Sequence, residues 1–98
     1  MRLIYHPEAE AELIEAAKFY EQRVPTLGTQ WLAATDLAVS RILANPERWR
    51  ILEQDVRCCL MPRFPYAIYY RLAGETVRIL AFKHHKRHPD YWRHRLAS

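Results

Sequence analysis

Cations, imidazoles and aromatics crowd into one stretch of the chain, His84-His85-Lys86-Arg87-His88-Pro89-Asp90-Tyr91-Trp92-Arg93-His94-Arg95-Leu96. Four chemistries draw on such residues. A metal site would use the imidazoles of His84, His85 and His88. The tract offers no cysteine and only Asp90 as a carboxylate, and consecutive histidines on a strand diverge, so no metal is expected. A ribonuclease would need a base for the ribose 2′-hydroxyl, an acid for the leaving oxygen and cations around the phosphate. His84 or His85 suits the first two roles and Arg63, Lys83 or Arg87 the last, although two adjacent histidines do not by themselves define an acid–base pair. A phosphate-backbone binder would use the same cations as point charges and bidentate forks, with Tyr91 and Trp92 stacking on unpaired bases. A protein-binding surface would turn them toward an acidic partner, with aromatic and Arg anchors. Trp92 has a competing role as a lid packed on a sheet.

Other chemistries are excluded by what the sequence lacks. With two glycines in the whole chain there is no Gly-rich phosphate loop, and no Ser/His/Asp set or nucleophilic cysteine context is present, so no cofactor is expected. Cys58 and Cys59 are adjacent, which makes a mutual disulfide geometrically poor, and they read as reduced packing residues. No charged-then-apolar leader opens the sequence and no apolar run approaches the roughly 18 residues that span a bilayer, so a cytosolic protein without membrane contact is expected.

Charge is divided unevenly along the 98 residues. Residues 1–55 carry six Lys/Arg against nine Asp/Glu, a net of −3, while residues 56–98 carry nine against two, a net of +7. That asymmetry suits a surface that meets phosphates or an acidic protein. The length allows one domain over residues 1–98 with a single core, small enough to be marginally stable.

The elements that must position these residues follow from periodicity. Arg2 to Tyr5 is a short β-prone start, ended by His6-Pro7, with Pro suited to the first turn of a helix. Ala9, Leu13, Ala16, Tyr20 and Val24 then recur at helical spacing, with glutamates between them. Pro25-Thr26-Leu27-Gly28 breaks the pattern. A second periodic run passes through Trp31, Leu32, Thr35, Leu37, Ala38, Val39, Ile42 and Leu43 until Asn45-Pro46 stops it, so the two helices form an antiparallel hairpin. The second helix is apolar on more than one side, leaving a flank for a partner. From Val56 the period becomes two, predicting strands over Val56–Met61, Phe64–Leu72 and Thr76–Lys83. Phe64, Tyr66, Ile68, Tyr70 and Leu72 share one face of the middle strand, and Val77, Ile79 and Ala81 one face of the last. Beyond Pro89, one or two helical turns are expected over Asp90–Leu96. The result is α+β, in the order β-α-α-β-β-β, with a helical hairpin packed on an antiparallel sheet.

In this order the chain resembles the RelE/ParE superfamily of type II toxins, often called plasmid stabilisation proteins. The resemblance is carried by His6-Pro7-Glu8-Ala9 with Leu13 and Tyr20, by Leu27-Gly28 and Asn45-Pro46, and by Val56-Arg57 leading into Arg63-Phe64-Pro65-Tyr66-Ala67-Ile68-Tyr69-Tyr70. Val77-Arg78-Ile79-Leu80-Ala81-Phe82-Lys83-His84 and Arg87-His88-Pro89-Asp90-Tyr91-Trp92-Arg93 complete it. It implies a toxin neutralised by a cognate antitoxin. RelE-like members cleave messenger RNA on the ribosome and place an Arg near the position of Ala67. ParE-like members share the Phe-Pro-Tyr strand and the Tyr-Trp-Arg tail, are associated with inhibition of DNA gyrase, and need no catalytic residue. The ParE-like reading is therefore favoured, with a RelE-like ribosome-dependent endoribonuclease using His84, His85, Arg63, Lys83 and Arg87 as the alternative. On it, Trp31, Leu32, Arg57, Arg71 and Arg78 are the expected antitoxin contacts. Lys83, His84, His85, Lys86, Arg87, Tyr91, Trp92, Arg93 and Arg95 are expected to face the target.

Overall fold

A computed structural model describes residues 1–97. The elements are β1 (Arg2–Tyr5), α1 (Pro7–Arg23), α2 (Leu27–Ala44), β2 (Ile51–Glu53), β3 (Val56–Leu60), β4 (Tyr66–Ala73), β5 (Thr76–His84) and a closing 3-10 helix, Arg93–Ala97. The expected α+β architecture is present, with two helices on a sheet.

Local chemistry sets the helix ends. Pro7 occupies the first turn of α1 and the His6 side chain caps it, its Nδ1 accepting from the Glu8 N–H at 3.1 Å. Val24 turns extended after Arg23, and Thr26 takes a left-handed φ of 72°, so three residues suffice to reverse the chain. Thr26 has no side-chain cap of its own. The Glu21 carboxylate supplies it from α1, accepting from Thr26 N at 2.9 Å and Gly28 N at 3.0 Å. Gly28 is required by proximity, because a Cβ there would lie 2.4 Å from the Ala17 carbonyl oxygen. Further along, Trp31 Nε1 donates to Leu13 O at 3.0 Å, which fixes the antiparallel hairpin.

The sheet order is β1-β5-β4-β3-β2. The strand pairing departs from expectation in two ways. β1 pairs parallel with β5, so the sheet is mixed, and a short strand over Ile51–Glu53 adds an edge beside β3. The middle strand also starts two residues later than its alternation suggests, because Arg63 adopts φ 71° in the preceding turn. Phe64 remains buried on the helix side even so.

Two apolar layers flank the sheet. Against the helices lie Trp31, Ile42, Ile68, Tyr70, Val77, Ile79 and Phe82. On the outer face Val56, Cys58, Ala67, Tyr69, Leu80 and Ala81 are covered by Trp92. Cys58 and Cys59 fall on opposite faces as free thiols, with burial pushing Cys59 up to about 11. The expected shared face of Val77, Ile79 and Ala81 is corrected by a bulge. Tyr70 pairs with Ile79 and Tyr69 with Ala81, leaving Leu80 extra. The additional residue reverses the alternation beyond it, so Ala81 turns outward and Phe82 inward. Without that shift Phe82 would not reach the helices.

Candidate functional site

The basic tract begins where β5 ends. The His85 N–H donates to Pro65 O at 2.9 Å and the Arg87 N–H to His84 O at 3.0 Å, closing a turn off the sheet. His84 Nδ1 accepts from Lys86 N and His88 Nδ1 from Asp90 N, so both rings spend one nitrogen on the backbone. The chain then folds back over the outer face. Trp92 is fully buried, edge-on to Tyr69 at 5.2 Å, with Nε1 donating to Pro89 O at 2.7 Å.

Glu12 of α1 fastens this return. Its carboxylate accepts from Arg95 Nη1 at 2.9 Å and Nη2 at 3.0 Å, from the Tyr91 hydroxyl at 2.6 Å and from the Phe82 N–H at 3.0 Å. Arg95 is 3% exposed and also donates to Leu80 O. Burial and the Glu12 carboxylate push the Tyr91 hydroxyl upward. Two guanidinium groups lie against the Tyr91 ring, Arg87 at 3.9 Å and Arg95 at 4.9 Å. At the surface, Arg93 pairs with Glu53 at 2.8 Å and His94 with Glu8 at 2.7 Å.

This geometry divides the residues expected to face a target. His85, Lys86, Arg87 and Arg93 present exposed side chains. Trp92, Arg95 and Lys83 are buried, with Lys83 Nζ donating to His84 O at 3.1 Å, and cannot offer contact surface on this fold. Trp92 is a lid. Tyr91 is half-buried and committed to Glu12, and His84 is partly buried against the edge of Tyr66. Of the residues suggested for a nuclease, only His84 and Arg87 line a common cleft, and His85, Arg63 and Lys83 are not among its walls. Arg63 donates to Gln30 of α2, Lys83 points to the outer face, and Arg87 rests on Tyr91. The Nδ1 lone pair of His84 is engaged and burial lowers its affinity for a proton, so it is a neutral donor through Nε2 rather than a poised base. Ala67 lies in the outer apolar layer with Trp92 and Tyr69, where an Arg could not be packed.

The residues expected at a partner interface are similarly sorted. Trp31 is fully buried among Tyr20, Phe64 and Tyr66, so it holds the hairpin to the sheet instead of meeting a partner. Arg57 donates to Glu47 O and Trp49 O, tying down the approach to β2, and Arg71 makes a bidentate pair with Asp55. Arg78 sits directly across the ladder from Arg71, half-buried. Leu32 is exposed.

A groove runs between α2, whose second apolar flank was expected to be open, and the far edge of the sheet, which was not expected to take part. Ala33, Ala34, Leu37 and Ala38 of α2 and Pro62 form an apolar groove of about 320 Å³, with Arg41 and Arg63 on its rim. It continues into a depression of about 480 Å³ that adds Arg48, Trp49, Cys59 and Leu60. Leu37 is 53% and Leu60 63% exposed. β2 pairs with β3 only as far as Arg57, and Arg50 O takes the Cys58 N–H, so the strand edge at Leu60 is open. The available signal was that Leu60 alternates outward and Leu37 falls off the buried stripe.

The model of the ParE toxin of the type II toxin-antitoxin system parDE matches residues 3–89, nearly the whole chain. The chain belongs to the ParE toxin family. As a family member it is a toxin of the type II toxin-antitoxin class. Among solved structures, a chain of the chromosomal ParDE TA system from P. aeruginosa aligns with a TM-score of 0.74 at 22% identity, over 86% of this chain and 95% of that one. At that identity the likeness speaks for the fold. None of the curated proteins compared with the chain matches it. Among the described residues no helix is long and apolar enough to cross a membrane.

Proposed function

We propose that this ParE-family toxin is a non-enzymatic, cytoplasmic inhibitor of DNA gyrase, neutralised by an antitoxin segment seated along α2 and the open edge of β3. The observation that carries the antitoxin contact is the groove itself. Its apolar floor exposes Leu37 and Leu60, and its rim of Arg41, Arg48 and Arg63 suits an acidic, amphipathic segment. Leu32, exposed on the same helix, falls on the opposite flank and is not part of the groove. The gyrase contact is assigned to His85, Lys86, Arg87 and Arg93, the exposed part of the basic tract. A protein target is favoured over RNA cleavage because Arg63 and Lys83 are engaged away from the cleft that holds His84 and Arg87, and the His84 Nδ1 is spent on the backbone.

The test is a supercoiling assay with purified toxin and gyrase, with and without a twofold excess of the cognate antitoxin. Arrest of supercoiling, relieved by antitoxin, is the expected result. Unaffected supercoiling together with cleavage of ribosome-bound messenger RNA would reverse the assignment. Substituting Leu37 and Leu60 by Glu should weaken antitoxin capture on the order of a hundredfold while leaving gyrase arrest in place.

A further inference from the structure

A second cleft lies on the opposite side of the helical hairpin, where α1 passes the end of the β4–β5 ladder. We propose that it binds an unpaired guanine base, held between Glu15 on one side and Arg87 on the other. Its volume is about 270 Å³ and its walls include Phe19, Tyr66 and Phe82. That is slightly below the range of about 300–1,000 Å³ typical of pockets for drug-sized molecules, and suits one planar ring.

Four polar groups line this cleft with capacity the fold leaves unused. Among the described residues the Glu15 carboxylate, the Tyr66 hydroxyl and His84 Nε2 make no intramolecular hydrogen bond. Arg87 is held only by its stacking on Tyr91, 3.9 Å from the ring centroid. Glu15 and Arg87 carry opposite charge and line the same cavity, yet form no ion pair. Each therefore retains its preference for a ligand edge of its own. His84 adds a donor, because its Nδ1 accepts the Lys86 N–H and its proton resides on Nε2.

A planar ligand with a donor edge and an acceptor edge suits these walls. A simple anion would meet the carboxylates of Glu12 and Glu15, and a simple cation would meet Arg87. Guanine satisfies both sides. Its N1–H and N2–H face a carboxylate, its O6 and N7 face a guanidinium fork, and its ring rests against Phe19 and Tyr66, the accessible part of the aromatic wall. Adenine fits less well, because it lacks the N1–H and N2–H pair that a carboxylate accepts and offers Arg87 only N7 beside an amino donor. The inference is independent of whether the toxin acts on gyrase.

The source of the base is either a free nucleotide or an unpaired strand. Calorimetric titration of the intact protein with GMP, AMP and two short oligothymidylates, one with a central guanine and one with a central adenine, separates them. GMP binding about tenfold or more tighter than AMP, with the preference abolished in Glu15→Gln, is the expected result. Guanine-dependent binding of the oligonucleotide alone, also lost in Glu15→Gln, would support the same site with a strand as its ligand. Glu15 is exposed, so its substitution leaves the fold intact. No binding by any probe, equal binding of GMP and AMP, or a preference that survives Glu15→Gln would overturn the proposal.

Discussion

Glu12 is the residue on which removal of one carboxylate should cost most. It joins three parts of the fold: α1, the bulged end of β5 through the Phe82 N–H, and the C-terminal return through Tyr91 and Arg95. Glu12→Ala strips the close carboxylate from Arg95, which is 3% exposed and keeps Leu80 O and, at 3.9 Å, Glu8. Breaking a buried ion pair from one side typically costs about 3–5 kcal/mol. A small domain has about 5–15 kcal/mol in total, so the loss is a large fraction. With an m-value near 2 kcal/mol/M, the urea midpoint should fall by about 2 M. Glu12→Gln keeps an acceptor for Phe82 and Tyr91 but not the charge, and should fall between wild type and Glu12→Ala. The decisive measurement is a double-mutant cycle with Arg95→Met. Removing both charges should restore much of the lost stability, because no buried cation is then left without its closest carboxylate. A midpoint shift below about 0.5 M for Glu12→Ala, or strict additivity in the cycle, would show that Arg95 and Glu12 do not act as a buried pair.

Acid should loosen the start of α1. Burial depresses the affinity of His6 for a proton, so its contribution is present above the unfolded value of about 6.5 and is lost as the pH falls through the lower folded value. Protonated Nδ1 would point a donor at the Glu8 N–H. Melting temperature should therefore decline below about pH 6.5, and His6→Asn, which caps without titrating, should reduce that slope while leaving the part due to His84. The lid and the exposed tract should separate cleanly. Trp92→Ala should cost about 3–5 kcal/mol in chemical denaturation, whereas Arg93→Ala, which removes a half-exposed ion pair, should cost under about 1 kcal/mol and show its effect in gyrase arrest.

Much of the fold was readable because its signals are local. The helical stripe Ala9, Leu13, Ala16 and Tyr20, the Asn45-Pro46 stop and the two-residue alternation of β4 each depend on neighbours a few positions away, and each is realised in the packing. Ile51–Glu53 escaped notice because three residues carry too little pattern to distinguish a strand from a loop, and its pairing with β3 is what defines it. The Leu80 bulge was equally silent. Ala81 and Phe82 are both apolar, and only register against Tyr69 and Tyr70 decides which faces the helices.

The site was legible in kind but not in membership. By itself the sequence determined the helical hairpin on a sheet and a basic tract after the last strand, because composition and periodicity suffice for these, while the family was legible only as a resemblance carried by ordered motifs. The tertiary structure decided which members of that tract are available. Trp92 is drawn inward by an apolar sheet face, and Arg95, as basic in the sequence as its neighbours, by a carboxylate 83 residues earlier in the chain. The groove beside Leu37 and Leu60 and the cleft between Glu15 and Arg87 likewise exist only once distant segments meet. Burial and pairing are properties of that meeting, and no window of sequence contains both partners.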